Sequence, residues 1–203
     1  MPRKQSRGKL KIMVASSVHH FRTELDQIYA TLRGFGYEVI MSKEGTVFVD
    51  PRNHNRTNCI QAVHECDVFL GIIRPNYGSG IVSGKAITHW EFLEAIKLNR
   101  PSWFVVDQQV ETCRQLLKPY LFRKKGKRTV RTDFRLRPNP VLDDLRVLDM
   151  YESALKSNIK LEERTGHWVQ PYADFAQLLT FIDRQFKDPH RIRTICEDQQ
   201  VQP

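Results

Sequence analysis

The sequence lacks any apolar run of about 18 residues or more, the length that a membrane-spanning helix requires. The basic stretch Met1–Lys11 is followed by the short apolar run Ile12–Ala15. That run is too short for the hydrophobic part of a signal peptide. We therefore expect a cytoplasmic protein with no membrane partner.

Cysteines are few, and the common motifs for metals and nucleotides are missing. The four cysteines are scattered without CxxC spacing, which favours reduced thiols over a zinc site or a disulfide framework. Neither GxGxxG nor GxxxxGK[ST] occurs, so the sequence gives no support for the dinucleotide or nucleoside-triphosphate sites that those motifs form. We predict no metal site and no resident cofactor.

Positive charge is abundant, with a formal net charge of +9, and much of it is local. The segment Arg123–Arg131 carries six Lys or Arg side chains in nine residues. Such a segment is typical of a solvated loop, and binding to nucleic acid or another acidic partner is the alternative. No aromatic residue interrupts it, so stacking on single strands is not indicated.

Short apolar runs alternate with segments of helical periodicity, which predicts βαβ units and a mainly parallel sheet. The run Val68–Ile73 is the most hydrophobic and predicts a central strand covered on both faces. We predict an α/β fold of flavodoxin-like type, a doubly wound, mainly parallel five-stranded sheet in three layers. One domain is expected over residues 8–187, with a mobile tail over residues 188–203.

In such a sheet, ligands bind beyond the carboxyl ends of the strands, where the strand order switches. Small hydroxylic residues and glycines follow the first and third predicted strands, and they suit a phosphate or a ribose. The candidate substrate-binding residues at these strand ends are Ser16, Ser17, Tyr77, Gly78, Ser79 and Gly80. The alternative is that these glycines merely turn the chain.

Glu91 lies in the first turn of a predicted helix over Thr88–Asn99, at the edge of its buried stripe. A carboxylate there, next to a cleft, could serve as a nucleophile or stabilise a transition state. The spacing of Thr88 and Glu91 is also that of a capping box, in which the glutamate only closes the helix end. Trp90 beside it is either a core residue or a further contact to the substrate.

Several segments together resemble an uncharacterised TIR-like family that is often found at the N-terminus of large NLR-like (STAND) ATPases. The segments are Ile12–Ser17, Gly36–Ile40, Cys66–Ile73, Tyr77–Gly80, Thr88–Phe92 with Pro101, and Trp168–Tyr172. That family is similar to nucleoside 2-deoxyribosyltransferases and TIR domains. In the transferases a nucleophilic glutamate stands ten residues before a proline, and Glu91 and Pro101 have this spacing.

The resemblance implies an N-glycosidase with Glu91 as its catalytic residue, acting in defence against phage. The transferases also have aspartates ahead of the glutamate, and the corresponding loop here has none. This departure favours a base that leaves without needing a proton, as nicotinamide does from NAD. The predicted substrate is therefore NAD or a related nucleotide.

The resemblance also supports a second hypothesis, a module without enzymatic activity. TIR-like domains often assemble with one another or recognise an effector or regulator protein or a nucleotide signal. A homo-oligomer or a protein partner would follow from that interpretation. Binding of a nucleotide without its consumption would distinguish it from the enzyme.

Overall fold

The computed structural model describes residues 8–121 and 137–201 of the chain. The basic segment Arg123–Arg131 lies outside these residues. The elements, in chain order, are β1 (Lys11–Ser16), α1 (Arg22–Gly34), β2 (Glu38–Ile40), α2 (Asn55–Glu65), β3 (Val68–Ile73), β4 (Ile81–Val82), β5 (Lys85–Ala86), α3 (Ile87–Lys97), β6 (Ser102–Asp107), α4 (Gln108–Leu121), α5 (Arg146–Ala154), β7 (His167–Tyr172), α6 (Phe175–Phe186) and α7 (Pro189–Val201).

Five strands form one sheet in the order β2-β1-β3-β6-β7, and every neighbouring pair is parallel. If only the five strands of this sheet are counted along the chain, their order in the sheet is 2-1-3-4-5, which is that of flavodoxin-like folds. The predicted fold class is confirmed. β4 and β5 form a separate antiparallel hairpin between β3 and α3.

Alternate residues of the central strands enter two hydrophobic cores, one on each face of the sheet. In β1, Ile12 and Val14 pack towards α1, α6 and α7, whereas Met13 and Ala15 pack towards α2, α3, α4 and α5. β3 alternates in the same way and is buried throughout. Burial on both faces explains why these strands are continuous apolar runs.

Gly71 in β3 sets how closely α3 can approach the sheet. A Cβ atom there would lie 2.6 Å from the ring of Phe92 and 2.7 Å from that of Phe104. Both rings are fully buried. The missing side chain thus lets α3 pack against the strand, and α3 carries Glu91.

The chain after Asp188 differs from the expected mobile tail. Over residues 189–201 it forms α7, and Ile192 and Cys196 of that helix are buried in the same core as α1 and α6. Their spacing of four residues puts both side chains on one face of the helix. That apolar face holds the segment against the sheet layer.

No helix within the described residues is long and apolar enough to cross a membrane.

Candidate active site

A cavity of about 710 Å³ opens at the carboxyl ends of the central strands. It lies at β1 and β3, where the chain order of the strands switches direction. Its volume is in the range of pockets for small organic ligands. Its walls come from the loops after β1, β2 and β3, from α2 and α3, and from the connection between α4 and α5. The lining residues on which the site depends are Ser16, Ser17, His19, Asn58, Cys59, Asn76, Gly78, Ser79, Gly80, Glu91 and Asp143.

Glu91 lies in the wall of this cavity and does not cap its helix. α3 begins at Ile87, the N-cap residue is Ala86, and no side chain makes a capping hydrogen bond. Thr88 is therefore the second residue inside the helix, and the capping-box interpretation is wrong. Glu91 is only 4% exposed.

The environment of Glu91 disfavours its charged form. Burial raises the pKa of Glu91 to about 7, and a hydrogen bond with Cys59 partly offsets that effect. Burial and the neighbouring carboxyl in turn raise the pKa of the Cys59 thiol, which therefore stays protonated as a donor. At neutral pH Glu91 is present in both protonation states, which suits a carboxyl that must act as a base, acid or nucleophile.

Ser16, the last residue of β1, and Ser17 after it both line the cavity. Arg74, at the end of β3, holds the loop that they begin. Its guanidinium donates to the backbone carbonyls of Ser17 at 3.3 Å, His19 at 2.7 Å and His20 at 3.2 Å, and it stacks on the ring of Phe21 at 4.2 Å. Arg74 is buried, and burial lowers the pKa of its guanidinium. Arg74 therefore acts as a fixed clamp beneath the loop.

The glycine-containing loop after β3 contributes Gly78, Ser79 and Gly80 to the cavity wall. Gly78 has φ +98°, a conformation that favours glycine, and it brings the loop against Ser17. The loop therefore lies at the cavity, and its binding of a ribose or a phosphate stays a prediction. None of these residues carries a charge.

Tyr77 and Trp90, two further predicted contacts, do not line the cavity. The Tyr77 hydroxyl lies 2.7 Å from Nδ1 of His89 and accepts a hydrogen bond from the N–H of Ala86 at 3.2 Å. The Trp90 ring nitrogen donates to the carbonyl of Val82 at 2.8 Å. Both side chains fasten the β4–β5 hairpin beside the site.

The Trp90 ring also lies between two cations. The guanidinium of Arg56 is 4.1 Å from the ring centroid, and the ammonium of Lys85 is 4.9 Å from it. Cations at these distances are attracted to the face of the ring. Trp90 therefore links α2, α3 and the hairpin on the outside of the cavity.

Asp143 is a cavity residue that the sequence did not indicate. It lies in the connection between α4 and α5, ahead of the start of α5 at Arg146. One carboxylate oxygen accepts a hydrogen bond from the N–H of Tyr77 at 2.9 Å, and the other from the side chain of Asn76 at 3.4 Å. The cavity thus contains a second carboxyl from a distant part of the chain.

Residues 11–138 match a domain family described as a domain of unknown function, DUF4062, over more than half of the chain. The chain belongs to the DUF4062 family. Among solved structures it is similar to the CMP N-glycosidase BcmB of Clostridium botulinum, with a TM-score of 0.46 and 11% identity. That alignment covers 86% of this chain and 98% of the other. No curated protein matches the chain.

The described lining of this DUF4062 cavity contains two carboxyl groups and no Lys or Arg side chain. Next to these carboxyls, such a lining favours positive charge that develops on a ligand or in a transition state. Within residues 8–121 and 137–201, no three His, Cys, Asp or Glu side chains come together as ligands for a metal ion.

Proposed function

We propose that this domain is an N-glycosidase that cleaves the bond between base and ribose in NAD or a related nucleotide, with Glu91 as its catalytic carboxyl. The observation that supports this proposal most directly is the placement of Glu91. It is a buried carboxyl in the wall of the cavity at the strand-order switch, it does not cap its helix, and its pKa lies near 7.

The chemistry requires an anion next to a carbon that becomes cationic. As the bond between C1′ and the base nitrogen breaks, its electron pair leaves with the base and positive charge develops on the ribose. The ionised carboxylate of Glu91 would stabilise that charge or bond to C1′, and water would then release the ribose. A cavity lined by carboxyls and free of described Lys or Arg supports a cationic transition state.

NAD fits this chemistry because its nicotinamide ring is cationic before cleavage and leaves as a neutral base. No proton donor is then needed at the leaving group. The Ser16 side chain at the end of β1 and the backbone N–H groups of the loop Gly78–Gly80 would bind the sugar and phosphates.

The test is release of free base, followed by chromatography, when the purified domain is incubated with NAD and a panel of nucleosides and nucleotides. Glu91→Gln keeps the shape of the side chain and removes its charge, and it should lower turnover by at least about 10³-fold. The matched control is Glu94→Gln on the same helix, because Glu94 pairs with His64 and Lys97 outside the cavity. Full turnover in Glu91→Gln would contradict the proposal, and binding without base release would identify a nucleotide-binding module instead.

A further inference from the structure

Asp143 is held rigidly at the cavity by the segment around it. Its own N–H donates to the carbonyl of Pro75 at 3.3 Å, and its neighbour Leu142 is buried. Three residues after Asp143, Arg146 is paired with Asp144 and donates to the carbonyl of Gly84 at 2.9 Å. The connection is thus fastened at both ends of the loop that carries the glycines of the site.

The carboxylate of Asp143 has unused capacity to accept hydrogen bonds. Each of its oxygens takes one protein donor, from Tyr77 and Asn76 respectively, whereas a carboxylate offers about four acceptor positions. No Lys or Arg side chain among the described lining residues neutralises it. Arg146, the cation nearby on the same segment, makes its hydrogen bonds to Asp144 and to the carbonyl of Gly84, and it interacts with Asp143 only through its charge. Two adjacent oxygens therefore remain as acceptors for the contents of the cavity.

We propose that Asp143 binds the two adjacent hydroxyl groups of a ribose, so that the site selects ribosides over 2-deoxyribosides. A vicinal diol presents two donors side by side, which matches the two oxygens of one carboxylate. A phosphate at this position would be repelled by the same charge. This inference rests on the proposed N-glycosidase function and assigns the end of the cavity that holds the sugar.

The test compares each variant on a riboside and on its 2-deoxyriboside with the same base. Asp143→Asn keeps one oxygen to accept the N–H of Tyr77, the shorter of the two contacts that fasten the loop. It replaces the second acceptor with a donor and so also gives up the 3.4 Å contact from the Asn76 side chain. The ratio of kcat/KM for riboside over deoxyriboside should fall by about 10–100-fold in this variant, which is the effect expected from losing one hydrogen bond to a charged group. Deoxyribosides are intrinsically more reactive, so the change in this ratio between proteins is the measured quantity.

Asp183→Asn is the control, because Asp183 lies on α6 at the opposite face of the sheet and pairs with Lys187 in solvent. It should leave the ratio unchanged. An equal loss on both sugars in Asp143→Asn would show that Asp143 only fastens the loop, and would overturn the proposal. A changed ratio of cytidine to uridine with an unchanged sugar ratio would place Asp143 at the base and overturn it as well.

Failure of the proposed function can be told apart from failure of this inference. If the wild-type protein releases no base, the N-glycosidase proposal fails, and binding of the same ribose and deoxyribose pairs is measured by calorimetry. Selection of ribose in Kd that is lost in Asp143→Asn would uphold the role of Asp143 in binding. Equal Kd values for both sugars in the wild type would overturn it.

Discussion

Replacing Glu91 with Gln is expected to stabilise the fold at pH 8 while it abolishes turnover. The unfolded chain leaves this carboxyl at its ordinary pKa of 4.5, whereas burial in the fold raises its pKa to about 7. The folded protein therefore binds the proton more tightly than the unfolded chain. The resulting loss of stability is absent below pH 4.5, grows as the pH rises towards 7, and is constant above 7.

The magnitude follows from the difference between these two pKa values. It corresponds to about 3 kcal/mol at pH 8 and to about 1 kcal/mol or less at pH 5. Gln carries no charge at either pH, so Glu91→Gln should gain about 3 kcal/mol over the wild type at pH 8. For a chain of this length that gain is roughly 6–12 °C in Tm. At pH 5 most of this gain in stability of Glu91→Gln over the wild type should be lost.

The assay is urea and thermal unfolding of both proteins at pH 5, 6, 7 and 8. Glu94→Gln is the control, and its replacement is expected to change the stability in the opposite direction. Burial would raise the pKa of Glu94, but hydrogen bonds from Lys97 and His64 outweigh it and hold that pKa below its ordinary value. Its replacement should destabilise the protein at neutral pH. A difference between Glu91→Gln and wild type that does not change with pH would refute the reasoning.

Two further substitutions test the support around Glu91. Cys59→Ala removes the hydrogen bond that lowers the pKa of Glu91, so the rise of kcat/KM with pH should move to higher pH. The control Cys113→Ala on α4 should leave the dependence of kcat/KM on pH unchanged. Gly71→Ala places a Cβ atom 2.6 Å from the buried ring of Phe92, and it should cost about 1–3 kcal/mol in urea unfolding and reduce turnover by displacing α3. Unchanged stability in that variant would show that α3 has room to shift.

The sheet could be predicted from the sequence because its central strands are buried on both faces. Continuous apolar runs such as Val68–Ile73 are rare except in that setting, and the helical segments between them have clear periodicity. The helix α7 was missed because the segment after Asp188 is mostly polar. Ile192 and Cys196 carried a signal, since a spacing of four residues places them on one helix face.

The β4–β5 hairpin was not predicted from the sequence. Its two strands have two residues each, too few for a pattern of alternation. The turn chemistry was nevertheless present in the sequence. Ser83 and Gly84 both have positive φ, the requirement of the tight two-residue turn that joins antiparallel strands.

The candidate site could be predicted where it follows strand ends and not where it depends on contacts between distant segments. The serines at the end of β1 and the loop Gly78–Gly80 lie at the cavity because the parallel topology places the carboxyl ends of all five strands on one edge of the sheet. Asp143 comes from the connection between α4 and α5, far along the chain from the strand ends that the sequence indicated. Its position depends on hydrogen bonds with the backbone after β3, which no local pattern encodes.

The second carboxyl in the cavity bears on which base can leave. The prediction of NAD rested on the loop before Glu91, which has no acid, but Asp143 brings a second carboxyl to the cavity from elsewhere. That carboxyl accepts hydrogen bonds from the backbone N–H of Tyr77 and the side chain of Asn76. In the role proposed above it binds the ribose hydroxyls and does not serve the departing base. Burial raises the pKa of Glu91, but Glu91 cannot donate a proton while it also acts as the anion at C1′, so a base that leaves without protonation still fits the site.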